Sequence, residues 1–321
     1  MRALVAAGNG TPTVEPAEVA EPTPAADEVL VAVEAFSINR GETFLLEKPQ
    51  PGWRPGKDIA GVVVRSAQSG AGPRAGERVV AHPPSAGWAE LVAIPLDQVT
   101  VLPAALPAHI AAALPLAGLT ALRLIRVAGA LASRRVLLTG AAGGVGHYFV
   151  ELAAAQGAAV TAVTASVERG ARLRELGAVD VVQHVDQASG TFDVGLDSVG
   201  DQTTAAVLAK LDDHGLLIWF GQASRVPPTL DFLDWRGGSS ATIRKFSYTD
   251  SNTSDKDDLA TLVRLVSSDR LHPEVGLLED WTHTQEAIDA LLARHIRGNA
   301  VLTIPANERL YPTGDEYHDA T

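Results

Sequence analysis

Short apolar runs broken by glycine and proline fill the first third of the chain. Val29-Leu30-Val31-Ala32-Val33 predicts a strand, introduced by turn-forming residues from Pro22 to Asp27. Ile59 to Val64, Arg78-Val79-Val80 and Ala89 to Ile94 predict three more, and helical periodicity is weak between Pro49 and Pro84. Many short strands with frequent turns suggest a barrel-like or sandwich-like domain.

The pattern changes near Pro107. Ala108 to Arg126, rich in Ala and Leu, predicts one or two helices. Strand and helix signals then alternate. Arg135 to Thr139, Val160 to Val163, Val179 to Val182, Asp193 to Leu196 and Leu216 to Phe220 read as strands. Val145 to Gln156, Arg169 to Leu176 and Thr203 to Leu211 read as helices, with Gly157 and Gly177 where C-terminal glycine caps belong. Apolar strands alternating with helices indicate a doubly wound parallel sheet, so the fold class expected is α/β. Thr249 to Asp258 reads as a polar loop leading into a helix from Leu259 to Val266. Thr284 to Arg294 predicts another helix and Ala300 to Ile304 a final strand. Residues after Pro305 have few apolar anchors and read as disordered.

Composition narrows the chemistry. The chain has 321 residues, room for two domains, and a formal net charge of −12, which disfavours nucleic acid and anionic membrane. It has no cysteine, which removes disulfides, thiolate metal sites and a cysteine nucleophile. No apolar run approaches the roughly 18 residues of a membrane span or serves as a signal segment, so a cytoplasmic location is expected. Asn9-Gly10-Thr11 matches the glycosylation pattern by chance. Asp255, Asp257 and Asp258 read as the solvated first turn of a helix rather than as metal ligands.

One motif has the right context. The strand from Arg135 runs into Gly140-Ala141-Ala142-Gly143-Gly144-Val145-Gly146, and a helix follows directly. This strand–turn–helix setting fits a dinucleotide site. Gly143 lets the backbone approach a pyrophosphate, Gly146 lets helix and strand pack closely, and the helix N-terminus faces the phosphates. The next strand ends in Thr164-Ala165-Ser166, with no carboxylate before Glu168. An acid there would bind the ribose hydroxyls of NAD. Its absence, with Ser166 as a donor and Arg169 as a charge one turn on, favours NADPH; Arg172 is a weaker candidate. No hydrolase elbow or zinc-protease motif occurs.

At this point the chain resembles the zinc-free quinone oxidoreductase branch of the medium-chain dehydrogenase/reductase superfamily. The matching stretches include Ser37-Ile38-Asn39, Pro55 to Val63, Gly76 to Val80, Gly87 to Glu90, Ala111 to Ala121, Thr139 to Gly146 and Asp197 to Gly200. The resemblance implies a GroES-like β-barrel substrate domain from residues 1–112 and 250–321, with a Rossmann domain over 113–249. Where zinc-dependent relatives carry Cys and His-Glu ligands, this chain has Asn39 and Lys57-Asp58. Three protein ligands and an open position are then lacking, so no metal is expected. The implied cofactor contacts are Gly140, Ala142, Gly143, Gly144, Val145, Thr164, Ser166, Arg169, Phe220, Gly221 and Asn299. Asn39, Arg40 and Tyr248 are the catalytic candidates, with Lys245, Lys57 or water as other proton sources. A small-molecule acceptor is expected, a quinone or another activated carbonyl. An enoyl or alkenal reductase and a non-catalytic NADPH-binding protein remain the alternatives, and a homodimer is left open.

Overall fold

The computed structural model describes residues 1–8, 13–231, 233–234, 236–238 and 240–305. Asn9-Gly10-Thr11 and the segment after Pro305 expected to be disordered lie outside the described residues. The chain divides into two compact units, Met1–Leu119 with Thr253–Thr321, and Thr120–Asn252. Among the described residues no helix is long and apolar enough to cross a membrane.

The first unit opens with the antiparallel pair β1 (Arg2–Ala6) and β2 (Val14–Glu18). The long strand β3 (Glu28–Ile38) leads into helix α1 (Arg40–Glu47), followed by β4 (Asp58–Arg65), β5 (Arg78–Ala81), β6 (Leu91–Pro95), β7 (Val99–Val101) and the short helix α2 (Ala108–Ala112). Strand β3 organises the sheet. One edge pairs along its length with β4, and the other pairs with β6 up to Ala32 and with the chain's last strand from Ala35 to Ile38. Register shifts at Leu30/Val31 and Val33/Ala35 accommodate the change. Val31, Val33, Phe36, Ile59, Val79, Trp88 and Ile94 form the core, with the Phe36 and Trp88 rings stacked 5.6 Å apart.

The boundary to the second unit falls inside helix α3 (Pro115–Ala128). The second unit contains β8 (Arg135–Leu138), α4 (Gly144–Ala154), β9 (Ala159–Val163), α5 (Val167–Glu175), β10 (Asp180–Val182), β11 (Phe192–Asp197), α6 (Gln202–Leu208), β12 (Leu211–Trp219) and β13 (Thr242–Lys245). Its sheet order is β10-β9-β8-β11-β12-β13, and every pairing is parallel. Counted within the unit this is 3-2-1-4-5-6, the Rossmann order. Gly157 and Gly177 have φ of 85° and 104°, the left-handed conformation of a C-terminal cap. The helix expected to reach Leu211 instead stops at Leu208. Leu211, fully buried, pairs with Phe192 as the first residue of β12.

The chain returns to the first unit through α7 (Asp255–Ser267), β14 (Val275–Asp280), α8 (Thr284–Leu292) and β15 (Asn299–Thr303), completing the sheet β14-β15-β3-β4-β5-β7. The polar run Thr249 to Asp258, expected to be loop, is loop to Ser254 and helix from Asp255 on. Ser254 caps α7 by accepting the Asp257 N–H at 3.1 Å, and three aspartates occupy the first turn, where the helix dipole favours them. Asp258 is buried and takes the Thr253 hydroxyl at 3.0 Å. No cluster of three potential metal ligands occurs among the described residues. Helix α1, which hydrophobic periodicity does not reveal, is set by its cap, Asn39.

Candidate functional site

In the second unit, the predicted cofactor residues gather at the carboxyl edge of the parallel sheet, where open α/β sheets bind ligands. The turn after β8 begins at Gly140, whose φ of 62° places its missing side chain against the Ser198 hydroxyl. Gly143, with φ of −83°, caps α4, and its N–H bonds to the Gly140 carbonyl at 3.1 Å. The α4 N–H groups of Gly144 and Val145 thus belong to an open helix start. A Cβ on Gly146 would collide with the backbone of Ala141, so helix and turn approach as only glycine allows. Ala141 and Ala142 are buried behind the turn.

Asp197, fully buried at the end of β11, fixes this edge. It accepts from the Thr139 and Thr204 hydroxyls at 2.6 and 2.5 Å and from the Val199 and Gly200 N–H groups at 3.0 and 3.1 Å. Ser198 in turn donates to the Thr139 carbonyl at 3.2 Å, tying the β11 end to the β8 end. Gly221 lies against the Ser198 backbone, and its carbonyl takes the Trp219 indole N–H at 2.7 Å. Phe220 is half-buried beside it. Tyr248 follows β13, and its carbonyl accepts from the buried Arg123 guanidinium at 2.6 Å.

The second strand's end is polar, with Thr164, Ser166 and Arg169 close in sequence. Thr164 is 4% exposed, and its hydroxyl is a buried polar atom with no hydrogen-bond partner, which fits a ligand group at that point. Ser166 caps α5, accepting the Arg169 N–H at 3.3 Å, and its hydroxyl proton is turned to the Glu168 carboxylate. Arg169 is half-buried, whereas Arg172 is paired with Glu175 at 2.7 Å. Glu168 is fully exposed, its carboxyl held below the usual range by its own backbone N–H and Ser166. The glycine cradle, the open helix start and the orphaned Thr164 hydroxyl together fit a dinucleotide.

The first unit carries a separate polar cluster that strand register assembles. Ser37 pairs with Asp58 across β3 and β4, Ile59 pairs with Ala81 across β4 and β5, and Ile38 pairs with Ala300 on β15. Asn39, Asp58, His82 and Asn299 are therefore brought to one end of the sheet. Asp58 is fully buried and accepts from Ser37 Oγ at 2.8 Å, Asn39 Nδ2 at 2.7 Å and the Leu116 N–H at 3.0 Å. His82 Nδ1 stands 3.0 Å from its other oxygen; a carboxylate only accepts, so that nitrogen carries a proton. Both Asp58 oxygens are thus committed to donors.

Glu42 is 1% exposed and closes a capping box on α1, its Oε2 taking the Asn39 N–H at 3.1 Å and its Oε1 the Gly56 N–H at 2.9 Å. Burial, then repulsion from Asp58, raise its pKa from 4.5 to about 7 against these hydrogen bonds. Arg40 points elsewhere, donating to the Leu291 carbonyl at 2.7 Å. The Asn299 side chain donates to the Glu274 carbonyl at 3.1 Å and so braces the turn before β15. Glu42 and His82 were not among the predicted site residues; the Asn39-x-x-Glu42 spacing is the signal that could have found Glu42.

Comparison with known proteins places these two clusters in context. Residues 25–104 match the alcohol dehydrogenase GroES-like domain and residues 144–268 the zinc-binding dehydrogenase family. A quinone oxidoreductase of Salmonella typhimurium is 31% identical over 252 residues, covering 73% of this chain and 77% of that one. The chain belongs to the medium-chain dehydrogenase/reductase superfamily, in its quinone oxidoreductase branch. Within that branch, the chloroplast envelope quinone oxidoreductase homolog of Arabidopsis thaliana is 34% identical over 55% of this chain; the chain spans only 58% of that relative's length. Two solved structures share the fold. The quinone oxidoreductase of Escherichia coli complexed with NADPH is 24% identical, with a TM-score of 0.85 over 94% of this chain and all of that one. A mycobacterial protein complexed with NADPH is 25% identical, with a TM-score of 0.84 over 94% and 99%.

Proposed function

We propose that this chain is an NADPH-dependent, zinc-independent reductase that delivers hydride to a quinone or another activated carbonyl acceptor. The observation carrying the proposal is the glycine cradle at the carboxyl edge of the second unit's sheet, with an acid-free strand end beside it. The NADPH bound by two structural neighbours supports it. When bound, NADPH supplies the hydride. The N–H groups of Gly144 and Val145, with Gly140, Ala142 and Gly143, hold the pyrophosphate; Thr164, Ser166 and Arg169 hold the 2′-phosphate. Phe220 and Gly221 flank the nicotinamide end. Asn39 is the candidate catalytic residue of the first unit, and Tyr248 is the candidate proton source in the second. Arg40 and Asn299 act as supports, because their side chains are engaged with backbone carbonyls. An already activated acceptor needs hydrogen-bond donors rather than a Lewis acid, consistent with Asp58 being occupied by protein donors.

A conjugated alkene is the second acceptor class to test. It is favoured by 32% identity over 213 residues to a protein named 2-methylene-furan-3-one reductase in Solanum lycopersicum. Steady-state NADPH oxidation with quinone and enone panels decides between them, and tight NADPH binding with no turnover on either would overturn the enzyme reading. Arg169→Ala is expected to weaken NADPH binding about tenfold or more, the scale of a lost charge-assisted contact, while sparing NADH. Equal loss for both in a fluorescence titration would show the phosphate pocket to be misplaced.

We further propose a homodimer, without assigning its interface. A solution mass of one chain by light scattering would reject it.

A further inference from the structure

We propose that Arg54, in the first unit, binds a carboxylate, and that the acceptor this protein reduces carries one. The proposal rests on the reductase reading above and names the class of acceptor within it.

The Arg54 guanidinium is a cation without a counterion. Among the described residues it makes no ion pair and no hydrogen bond, although the side chain is half-buried and its Nη1 lies out of solvent. Arg2, Arg134 and Arg297, by contrast, stand 2.9, 2.8 and 2.5 Å from carboxylate oxygens. Burial lowers the Arg54 pKa from the ordinary arginine value, with no acid acting against it. Arginine stays protonated, so this is a cost borne by the charged form. An oxyanion brought by a ligand relieves that cost.

The backbone beneath it is fixed. The Arg54 carbonyl accepts the Ala86 N–H at 2.9 Å, and the Pro55 and Gly56 carbonyls take the Trp88 and Gly87 N–H groups at 3.2 and 3.0 Å. A Cβ on Gly56, where φ is 116°, would collide with the backbone of Gly87 and Trp88. Residues 54–56 are thus zipped to 86–88, and the guanidinium stands on a rigid base, which lowers the entropy cost of binding. Strand order places that base. Asp58 opens β4 and Ala81 closes β5, so residues 54–57 and 82–88 leave the sheet at the end where Asn39, Asp58 and His82 gather. Charge selects the ligand group. One planar guanidinium matches one planar monoanion through two parallel hydrogen bonds, whereas a phosphate dianion calls for more positive charge than Arg54 alone supplies.

The test compares acetylacrylate with its methyl ester, two enones that differ by one charge, as acceptors for NADPH. The parent is expected to favour the acid about tenfold in kcat/KM, chiefly through KM, the scale of one charge-assisted contact. Arg54→Gln should bring the acid-to-ester ratio to about one, and Arg54→Lys, which keeps the charge without the fork, should fall between. Binding is read separately, by calorimetry of levulinate, the saturated product, on protein saturated with NADP+. Arg54→Gln should weaken it about tenfold. A parent with no preference for the acid, or an Arg54→Gln protein slowed in equal proportion on acid and ester, overturns the proposal. If inorganic phosphate binds more tightly than levulinate and loses affinity in Arg54→Gln, the carboxylate assignment falls. If levulinate binding depends on Arg54 but neither enone is turned over, the anion site stands and the reductase reading fails instead. Arg54→Met, which keeps an unbranched apolar stem, takes the place of Arg54→Gln if thermal unfolding shows that variant to be unfolded.

Discussion

Gly146→Ala is expected to lose both stability and cofactor affinity, whereas Gly143→Ala should lose affinity alone. The difference lies in what a β-carbon would meet. At Gly146 it would overlap the carbonyl oxygen, carbonyl carbon and Cα of Ala141, all backbone atoms that cannot rotate aside. Helix α4 would have to lift from the turn, and behind it Tyr148, Phe149 and Val150 are fully buried. Forcing atoms into such packing costs typically about 1–3 kcal/mol. The shift also carries the α4 N-terminus away from the pyrophosphate, and positioning errors of an ångström are costly for charge-assisted contacts. NADPH affinity should fall by more than tenfold and the thermal midpoint by several degrees, the scale of a loss of about 2 kcal/mol. At Gly143 the nearest atom to a new β-carbon is the Gly140 carbonyl oxygen at 3.4 Å, an ordinary contact, and its φ of −83° suits any residue. Its methyl group would still occupy the approach to the phosphates. Calorimetric melting and fluorescence titration of the two variants check this. A Gly146→Ala protein that melts and binds like the parent would remove the close-packing argument for the cradle.

That cradle was readable from the sequence because its constraints are local. A buried strand, four glycines and a helix lie within twenty residues, and parallel strands buried on both faces read as unbroken apolar runs, as Val136-Leu137-Leu138 does. Strands without that signature were harder. β13 is exposed throughout and β14 alternates, so neither shows an apolar run. The start of α7 was set late, at the apolar Leu259, although Ser254 and the first-turn acids are helix-start signals. The first unit's cluster was only half legible. Resemblance to a family supplied Asn39 and Asp58. Glu42 needed recognition of a helix that hydrophobic periodicity does not show. His82 needed strand register, because it follows Asp58 by 24 positions and reaches it only through the β4–β5 pairing.

Glu42 also predicts how stability depends on pH. Its carboxyl has a pKa of about 7 in the folded protein against 4.5 for the ordinary group, with burial the larger cause and the charge of Asp58 the second. Between those values the folded protein holds a proton that the unfolded chain has released. The group's stabilising contribution is therefore complete below about 4.5 and is lost as pH rises through about 7. At 1.36 kcal/mol per pH unit, that interval caps the loss at about 3 kcal/mol. Glutamine has the same shape and no proton to lose, so Glu42→Gln should lack this slope. Its thermal midpoint should gain on the parent by on the order of 5 °C between pH 5 and pH 8. Groups that titrate alike in both proteins cancel in the difference unless they couple to Glu42. The sign is the discriminating feature, since a carboxylate stabilised by its hydrogen bonds would make the parent gain with rising pH instead. Melting curves of the two proteins that stay parallel from pH 5 to pH 8 would mean that water or local opening relieves the burial of Glu42.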